Sequence, residues 1–214
     1  MRITVFGAAG NVGSRVVTEA LARGHEVTAV VRDRARFAEL HPDAQPRVGN
    51  AANVEDVAEL SAGRDLVISA TRPAPGSETD LVTTAKALLA GLAGSDVRLL
   101  VVGGAGSLNV PDGDGTLAVD DQRFVPTAWR GIALACNEQL DTFRTERGEV
   151  NWTYLSPSAN LQPGTRTGAF RVGTDDLLID VDGSSAISME DLAVALLDEA
   201  EHPKHHRTRF TAGY

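Results

Sequence analysis

The sequence comprises 214 residues with a formal net charge of -9, and 43% of the residues are hydrophobic and 23% charged. This length and balance predict one soluble globular domain with a full core, and the acidic charge argues against a nucleic-acid partner or an anionic membrane surface. The one cysteine cannot form an internal disulfide, and no signal peptide or membrane-length apolar run is evident, so we expect a cytoplasmic protein. Either a monomer or a homodimer is expected, and the sequence does not choose between them.

Strand and helix signals alternate from one end of the chain to the other. Strands are predicted, in order, over residues 3–6, 26–31, 47–48, 65–69, 97–102, 152–155 and 208–211. Helices are predicted over residues 11–23, 34–40, 54–60, 77–92 and 131–147, and from residue 188 onward. This alternation predicts an α/β fold, a Rossmann-like doubly wound parallel sheet in a single domain over residues 1–214, with a small C-terminal extension on the substrate side.

Three local expectations accompany these elements. Ser77 is expected to cap the fourth helix. Cys136 is interpreted as a small buried hydrophobe on the fifth helix rather than as a nucleophile. Lys204, His205 and His206 are interpreted as a solvated turn before the last strand, and no metal site is expected.

The turn between the first strand and the first helix, at residues 6–15, reads Phe-Gly-Ala-Ala-Gly-Asn-Val-Gly-Ser-Arg. Gly7 can adopt the positive φ that a sharp turn needs, Gly10 lets a pyrophosphate approach the backbone, and Gly13 lets the helix pack close to the strand. The N–H groups and the positive dipole end of the helix would face the phosphates. A glycine-rich turn without a ligand is the alternative, but the position between strand and helix favours a dinucleotide. The candidate contacts are Gly7, Ala8, Ala9, Gly10, Asn11, Val12 and Gly13.

The end of the second strand indicates which dinucleotide is bound. NAD-dependent proteins usually carry an acidic residue there, which would repel a 2′-phosphate. Here the strand ends in Val31 and Arg32, and a guanidinium can clamp a phosphate and stack on adenine. NADP(H) is therefore favoured and NAD(H) remains possible. Two alternatives stay open: Asp33 turns inward, or Arg32, Arg34 and Arg36 form only the solvated start of a short helix.

Further cofactor contacts are expected where later strands end, because the carboxyl ends of parallel strands meet at one edge of the sheet. Residues after the third strand could offer a backbone amide to the adenine edge, and residues after the fourth strand would pass the ribose and nicotinamide. The candidates after the third, fourth and fifth strands are Asn50 and Ala51, then Ala70, Thr71 and Arg72, then Gly103 and Gly104.

Two segments, 103–130 and 157–187, are longer than ordinary loop connections. Both follow the carboxyl end of a predicted strand, where ligands bind in open α/β sheets. We interpret them as the walls of a substrate cleft. The candidate substrate contacts are Phe124, Trp129 and Asn160. The alternatives are a disordered loop at 109–123 and a role for Trp129 as a core anchor of the helix that it precedes.

Four fragments carry a resemblance to a known family: residues 7–13, Val-Val-Arg-Asp at 30–33, Ser-Ala-Thr-Arg at 69–72 and Val-Gly-Gly-Ala-Gly-Ser-Leu at 102–108. Together they resemble an atypical short-chain dehydrogenase/reductase, more narrowly the NAD(P)H-binding NADH-flavin reductase group, close to the NmrA-like and biliverdin-reductase-B-like proteins. Ser-Met-Glu-Asp-Leu-Ala-Val-Ala-Leu at 188–196 and Arg-Phe-Thr at 209–211 also fit. The resemblance spans essentially the whole chain and implies the fold and the cofactor more specifically than the substrate.

The catalytic motif of that superfamily is incomplete in this chain. Ordinary members donate a proton from the tyrosine of a Tyr-x-x-x-Lys motif, while a serine orients the carbonyl. Ser107 matches the serine and is the candidate catalytic residue, with a plain turn residue as the alternative. The only tyrosines are Tyr154, inside a predicted strand, and Tyr214, and neither begins the motif. Since general acid catalysis contributes about 10²–10⁴-fold, a simple ketone would be a poor substrate.

A flavin or a quinone does not need such a donor, because it accepts hydride into a conjugated system and water can supply the proton. We therefore predict an NADPH-dependent reductase of a planar, flavin- or quinone-like acceptor. A histidine, Asp121 or a group of the substrate are other possible proton sources. The alternatives are a non-catalytic NAD(P)-binding sensor of NmrA type and a redox-neutral isomerase or epimerase.

Overall fold

The computed structural model describes residues 1–74, 76–111, 113–146 and 148–214. The strands run over Arg2–Phe6 (β1), Glu26–Val31 (β2), Gln45–Val48 (β3), Leu66–Ser69 (β4), Arg98–Val102 (β5), Trp152–Pro157 (β6), Asn160–Gln162 (β7), Arg171–Gly173 (β8), Ala186–Ser188 (β9) and Thr208–Gly213 (β10). The α-helices run over Asn11–Ala22 (α1), Val54–Ser61 (α2), Asp80–Gly91 (α3), Arg130–Thr145 (α4) and Met189–Glu201 (α5). Each strand predicted from the sequence is present, with bounds close to those expected.

The sheet confirms the predicted fold class. Its strand order is β3-β2-β1-β4-β5-β6-β10-β8, and every pairing is parallel except that of β8 with β10. The chain builds outward from β1 to β3 and then returns to β4 on the other side of β1. This reversal is the topological switch point of a Rossmann-like sheet, and ligands bind outside the strand ends there.

Both faces of the sheet are buried. Successive side chains of a strand point to opposite faces, so that Leu100 and Leu155 join a core with α1 and α5, while Val101 and Tyr154 join a core with α3 and α4. This double burial explains why β5 is an unbroken apolar run in the sequence after its first residue, Arg98. Within the described residues, no helix is both long and apolar enough to span a membrane.

The short helix predicted over residues 34–40 is present as a 3₁₀ helix, Arg34–Glu39. One helical prediction needs correction. Ser77 does not cap α3, which begins at Asp80; instead the Ser77 carbonyl accepts the Asp80 N–H at 3.0 Å, so a backbone turn precedes the helix. The predicted end of the fifth helix at residue 147 lies outside the described residues, and α4 ends at Thr145.

The segment 157–187 contains short strands that the sequence did not predict. β7 pairs with β9 in a separate two-stranded sheet, and β8 pairs with the edge strand β10. Each of them has three residues, which is too few to show a period of two. The segment interpreted as a wall of the substrate cleft therefore contains secondary structure that the sequence did not predict.

A buried ion pair joins β5 to the end of α5. Arg98 and Glu199 are 8% and 5% exposed, and Arg98 Nη2 lies 2.5 Å from Glu199 Oε1. Glu199 also accepts the backbone N–H groups of Lys204 and His205 at 3.0 Å and lies 2.8 Å from His205 Nδ1. The His205 ring stacks on Phe210 with 4.7 Å between ring centroids. The expectation of a solvated turn is therefore wrong for His205, because the carboxylate draws its ring inward.

Candidate functional site

A cleft of about 1190 Å³ opens at the carboxyl ends of the central strands. Its floor consists of the strand-end turns after β1, β2, β3, β4 and β5, and its upper walls come from the two long segments of the chain. Sites for single small molecules usually measure about 300–1,000 Å³. The cleft is therefore large enough for a dinucleotide together with a second ligand.

The glycine turn after β1 is shaped by close backbone packing. Gly7 has φ +79°, and a Cβ there would lie 2.6 Å from the Ala70 carbonyl oxygen. A Cβ on Gly13 would overlap the carbonyl oxygen of Gly7. A Cβ on Gly10 would lie 3.1 Å from that same oxygen and would otherwise meet little protein. Packing thus requires Gly7 and Gly13, whereas Gly10 keeps open the space that a pyrophosphate needs.

The first turn of α1 borders this open space. Gly10 is the N-cap, and no side chain caps the helix, so its leading N–H groups suit an anionic ligand. Of the predicted contacts, Ala9, Asn11 and Val12 line the cleft together with Gly7 and Gly10.

Two predicted contacts in the same turn do not line the cleft. Ala8 is 1% exposed and packs into the core with α1 and α5. Gly13 packs against the backbone of Gly7. Both residues therefore pack against the protein itself. For Gly13 this agrees with the sequence prediction that a glycine there lets the helix pack close to the strand.

The end of β2 places arginines on the cleft. Arg32 lines it, whereas Asp33 accepts the Ala35 N–H at 2.8 Å and caps the 3₁₀ helix. Asp33 therefore does not turn inward. Arg36 also lines the cleft, and its Nη2 donates to the Ala9 carbonyl at 2.9 Å and to Glu39 at 2.7 Å. Sequence reasoning treated Arg36 only as part of a solvated helix start, because its approach to the glycine turn depends on the tertiary fold.

The predicted contacts after the later strands all line the cleft: Asn50, Ala51, Ala70, Thr71, Arg72, Gly103 and Gly104. One detail differs from the expectation. The backbone N–H of Asn50 donates to Asp56 Oδ2 at 2.8 Å, and its side chain accepts the Ala52 N–H at 3.1 Å. Asn50 therefore has no backbone amide to offer to an adenine ring.

The upper half of the cleft brings the predicted substrate contacts together. Phe124, Trp129 and Asn160 all line it. Phe124 is only 9% exposed, whereas Trp129 is 54% exposed, so Trp129 is not a core anchor. The Arg72 guanidinium lies 5.2 Å from the centre of the Trp129 ring.

The wall that carries Phe124 has a hydrophobic core of its own, which we call the wall cluster. It is distinct from the two cores that flank the sheet and includes Leu108, Val110, Val119, Phe124 and Leu177. Backbone hydrogen bonds such as Val110 N–H to Thr116 at 2.8 Å fold the segment. The alternative of a disordered loop at 109–123 is therefore corrected for the described residues, from which residue 112 is excluded.

The predicted catalytic residue lies outside the cleft lining. The Ser107 hydroxyl accepts a hydrogen bond from Arg209 at 2.8 Å, and Arg209 also pairs with Asp175. This geometry ties Ser107 to β10 and favours the turn-residue alternative over the catalytic role.

Other candidate acids are also turned away from the cleft. Tyr154 is fully buried and donates to the Cys136 carbonyl at 3.0 Å, and burial raises its pKa well above the ordinary value. Tyr214 donates to Asp191 at 2.7 Å. The side-chain hydrogen bonds from Arg123 hold the pKa of Asp121 below its ordinary value. The structure therefore corrects the idea that Asp121 replaces the missing acid, because the fold keeps it ionised and pairs it with Arg123.

Cys136 lies on the cleft side of α4. It lines the cleft and packs against Gly104, where a Cβ would lie 2.8 Å from the Cys136 Cβ. Burial raises the pKa of its thiol to about 11, which the nearby Arg72 charge offsets only in part. The thiol therefore remains protonated near neutral pH, as expected for a small hydrophobe rather than a nucleophile.

Comparison with known proteins gives matches over nearly the whole chain. The profile of a family of NAD(P)H-binding proteins matches residues 7–203. A Burkholderia pseudomallei structure, described provisionally as an exported protein, is 37% identical with a TM-score of 0.88 and covers 100% of both chains.

Two further structures carry descriptions of activity. A Bacteroides thetaiotaomicron protein, described provisionally as an epimerase, is 38% identical with a TM-score of 0.87, over 100% of this chain and 96% of its own. A Streptococcus pneumoniae TIGR4 protein, described provisionally as an NADH-flavin reductase, is 31% identical with a TM-score of 0.85, over 100% of this chain and 99% of its own.

Proposed function

The chain belongs to the NAD(P)H-binding family, and from this membership we propose that it is an NADPH-dependent reductase of a planar, conjugated acceptor of flavin or quinone type. The cleft supports the cofactor part of the proposal, because the open space over Gly10 and the uncapped start of α1 suit a pyrophosphate. The provisional description of the Streptococcus pneumoniae relative supports the acceptor class.

One observation carries the choice of acceptor. The lining, in the part of the chain that the structure describes, contains no tyrosine, histidine, lysine or glutamate, and its one carboxylate is Asp80, the first residue of α3. Its thiol, Cys136, has a pKa raised by burial to about 11 and is a poor proton donor. A ketone that needs an enzymic proton would be reduced slowly in such a site.

A conjugated acceptor fits this lining better. The bound nicotinamide would supply a hydride, and the acceptor ring system would take it up while water delivers the proton. Trp129 offers an exposed ring for stacking in the upper half of the cleft. The chain itself would thus bind and orient the two planar ligands and would not need to donate a proton.

Turnover with purified protein tests the proposal. We expect NADPH to be oxidised in the presence of flavins or naphthoquinones and not in the presence of simple ketones. We expect Trp129→Ala to raise the KM for the acceptor about three- to tenfold with little change in kcat, since an aromatic pair contributes about 0.5–1.5 kcal/mol. Leu134→Ala is the matched control, because Leu134 is exposed on α4 but does not line the cleft.

Two results would contradict this proposal. Tight NADPH binding without oxidation by any flavin, quinone or carbonyl compound would favour the non-catalytic sensor. Efficient reduction of a simple ketone would show that the site contains a proton donor, and the acceptor argument would fail.

Arg32 is proposed to select NADPH. We expect Arg32→Ala to weaken NADPH binding about 10- to 100-fold, the effect of losing a charge-assisted hydrogen bond, and to change NADH binding by less than about twofold. Titrations of both cofactors measure this difference. Arg34→Ala is the control, because Arg34 is exposed nearby but does not line the cleft. Equal losses for both cofactors, or a wild-type preference for NADH, would reject the assignment.

A redox-neutral epimerase is the second candidate, favoured by the provisional description of the Bacteroides thetaiotaomicron relative. The described lining offers such a reaction Asp80 as its one carboxylate, and no tyrosine, histidine, lysine or glutamate to move a second proton. NADPH consumption in step with acceptor reduction separates the two candidates.

We also propose a cytoplasmic location, which the presence of a single cysteine supports.

A further inference from the structure

The charge of the cleft is opposite to that of the protein as a whole. The chain has a net charge of -9. The charged residues of the described lining are Arg32, Arg36, Arg72, Arg123 and Asp80. An acidic protein that gathers arginines in one cleft is arranged to bind anions there.

The four arginines differ in how far carboxylates already neutralise them. Arg36 pairs with Glu39 at 2.7 Å, and Arg123 pairs with Asp121 at 2.5 Å. Arg72, by contrast, has no carboxylate within salt-bridge distance among residues 1–74, 76–111, 113–146 and 148–214. Arg32 also has no such carboxylate within these residues but is assigned to the cofactor above, so Arg72 is the remaining arginine of the lining whose charge is available to an acceptor.

Arg72 lies beside the acceptor walls as well as at the end of β4. Its guanidinium is 5.2 Å from the Trp129 ring centre, and its charge reaches the Cys136 thiol on α4. Trp129 and Cys136 both line the cleft beside Arg72, whereas the open space for the pyrophosphate lies at Gly10, where a Cβ would lie 3.9 Å from the Ala70 carbonyl oxygen.

We propose that the acceptor carries an anionic substituent, such as a phosphate, sulfonate or carboxylate, and that Arg72 binds this anion while Trp129 stacks on the acceptor ring. One face of the indole holds the guanidinium, and the half-exposed remainder is open to a planar ring. This inference rests on the proposed function, since it assigns the anion to the acceptor. It makes Arg72 a residue that determines substrate specificity.

FMN and riboflavin test the inference directly, because they share one ring system and differ by a phosphate. Calorimetric titration with saturating NADP⁺ measures their binding without turnover, so the result does not depend on whether the protein is an active reductase. We expect wild-type protein to bind FMN more tightly than riboflavin. We expect Arg72→Gln to weaken FMN binding about 10- to 100-fold and to leave riboflavin and NADP⁺ binding within about twofold.

Arg130→Gln is the matched control. It removes the same charge next to Trp129, but Arg130 pairs with Asp120 at 2.8 Å on the surface and does not line the cleft. Its FMN affinity is expected to stay within about twofold of wild type. Equal affinities of the wild type for both flavins, or an equal loss of both in Arg72→Gln, would overturn the proposal. A matching loss of NADP⁺ affinity in Arg72→Gln would overturn it in favour of a cofactor contact.

Discussion

Gly10→Val is expected to abolish NADP(H) binding while the protein remains folded. Gly10 has φ -76° and ψ 167°, an extended conformation that valine adopts readily. A Cβ there has room apart from the Gly7 oxygen at 3.1 Å. The added methyl groups would instead occupy the path of the pyrophosphate over the start of α1. Titration of NADPH fluorescence measures the loss, and thermal unfolding checks the fold.

Gly13→Ala provides the contrasting variant. Its Cβ would overlap the Gly7 carbonyl oxygen, so we expect it to lower the free energy of unfolding by about 1–3 kcal/mol or more. Wild-type NADPH affinity in Gly10→Val would contradict the placement of the cofactor. A fold as unstable as that of Gly13→Ala would contradict the argument that Gly10 is a binding position rather than a packing position.

Glu199→Ala is expected to lower the free energy of unfolding by about 3–5 kcal/mol, because it leaves Arg98 charged and buried without its partner. Urea denaturation measures this loss. Asp198→Ala is the control at the neighbouring position, where the carboxylate is 54% exposed and pairs with Arg23. It should cost less than about 1 kcal/mol. Equal losses of unfolding free energy in the two variants would show that the buried ion pair stabilises the fold no more than the exposed one.

The same carboxylate predicts a pH dependence. Burial alone would raise the pKa of Glu199, but hydrogen bonds from His205 and Arg98 outweigh burial and place the pKa below its ordinary value of 4.5. Such a group contributes stability above its unfolded pKa, and this contribution is lost as the pH falls through the folded pKa. The stability difference between wild type and Glu199→Gln should therefore be largest near neutral pH and shrink below about pH 4.5. A difference that does not change with pH would contradict this explanation.

The fold could be predicted from the sequence because its signals are local. The strand Glu26–Val31 and the helix Asn11–Ala22 each carry a hydrophobic period or a bounding glycine within a few residues. The start of α3 was misplaced because a backbone turn, rather than the Ser77 hydroxyl, precedes it. The side chain of His205 was misplaced because its partner, Glu199, approaches only in the folded chain.

The cofactor half and the acceptor half of the candidate site also differ in how far the sequence predicts them. Contacts at strand ends, such as Arg32 and Thr71, follow from the order of the strands, which the sequence reveals. The position of Ser107 depends on Arg209, about a hundred residues away, and that of Arg36 depends on the glycine turn. No local pattern encodes such contacts, so the acceptor half could be located from the sequence but not described.

The wall cluster has a consequence for how proteins of this architecture can diverge. Leu108, Val119 and Leu177 pack among themselves and not into the two cores that flank the sheet. Mutations there can reshape the acceptor wall while the sheet and the glycine turn keep their stability. A duplicated gene could thus acquire a new acceptor in small steps and retain its cofactor throughout. The cofactor half and the acceptor wall of the cleft thus depend on different sets of packing contacts.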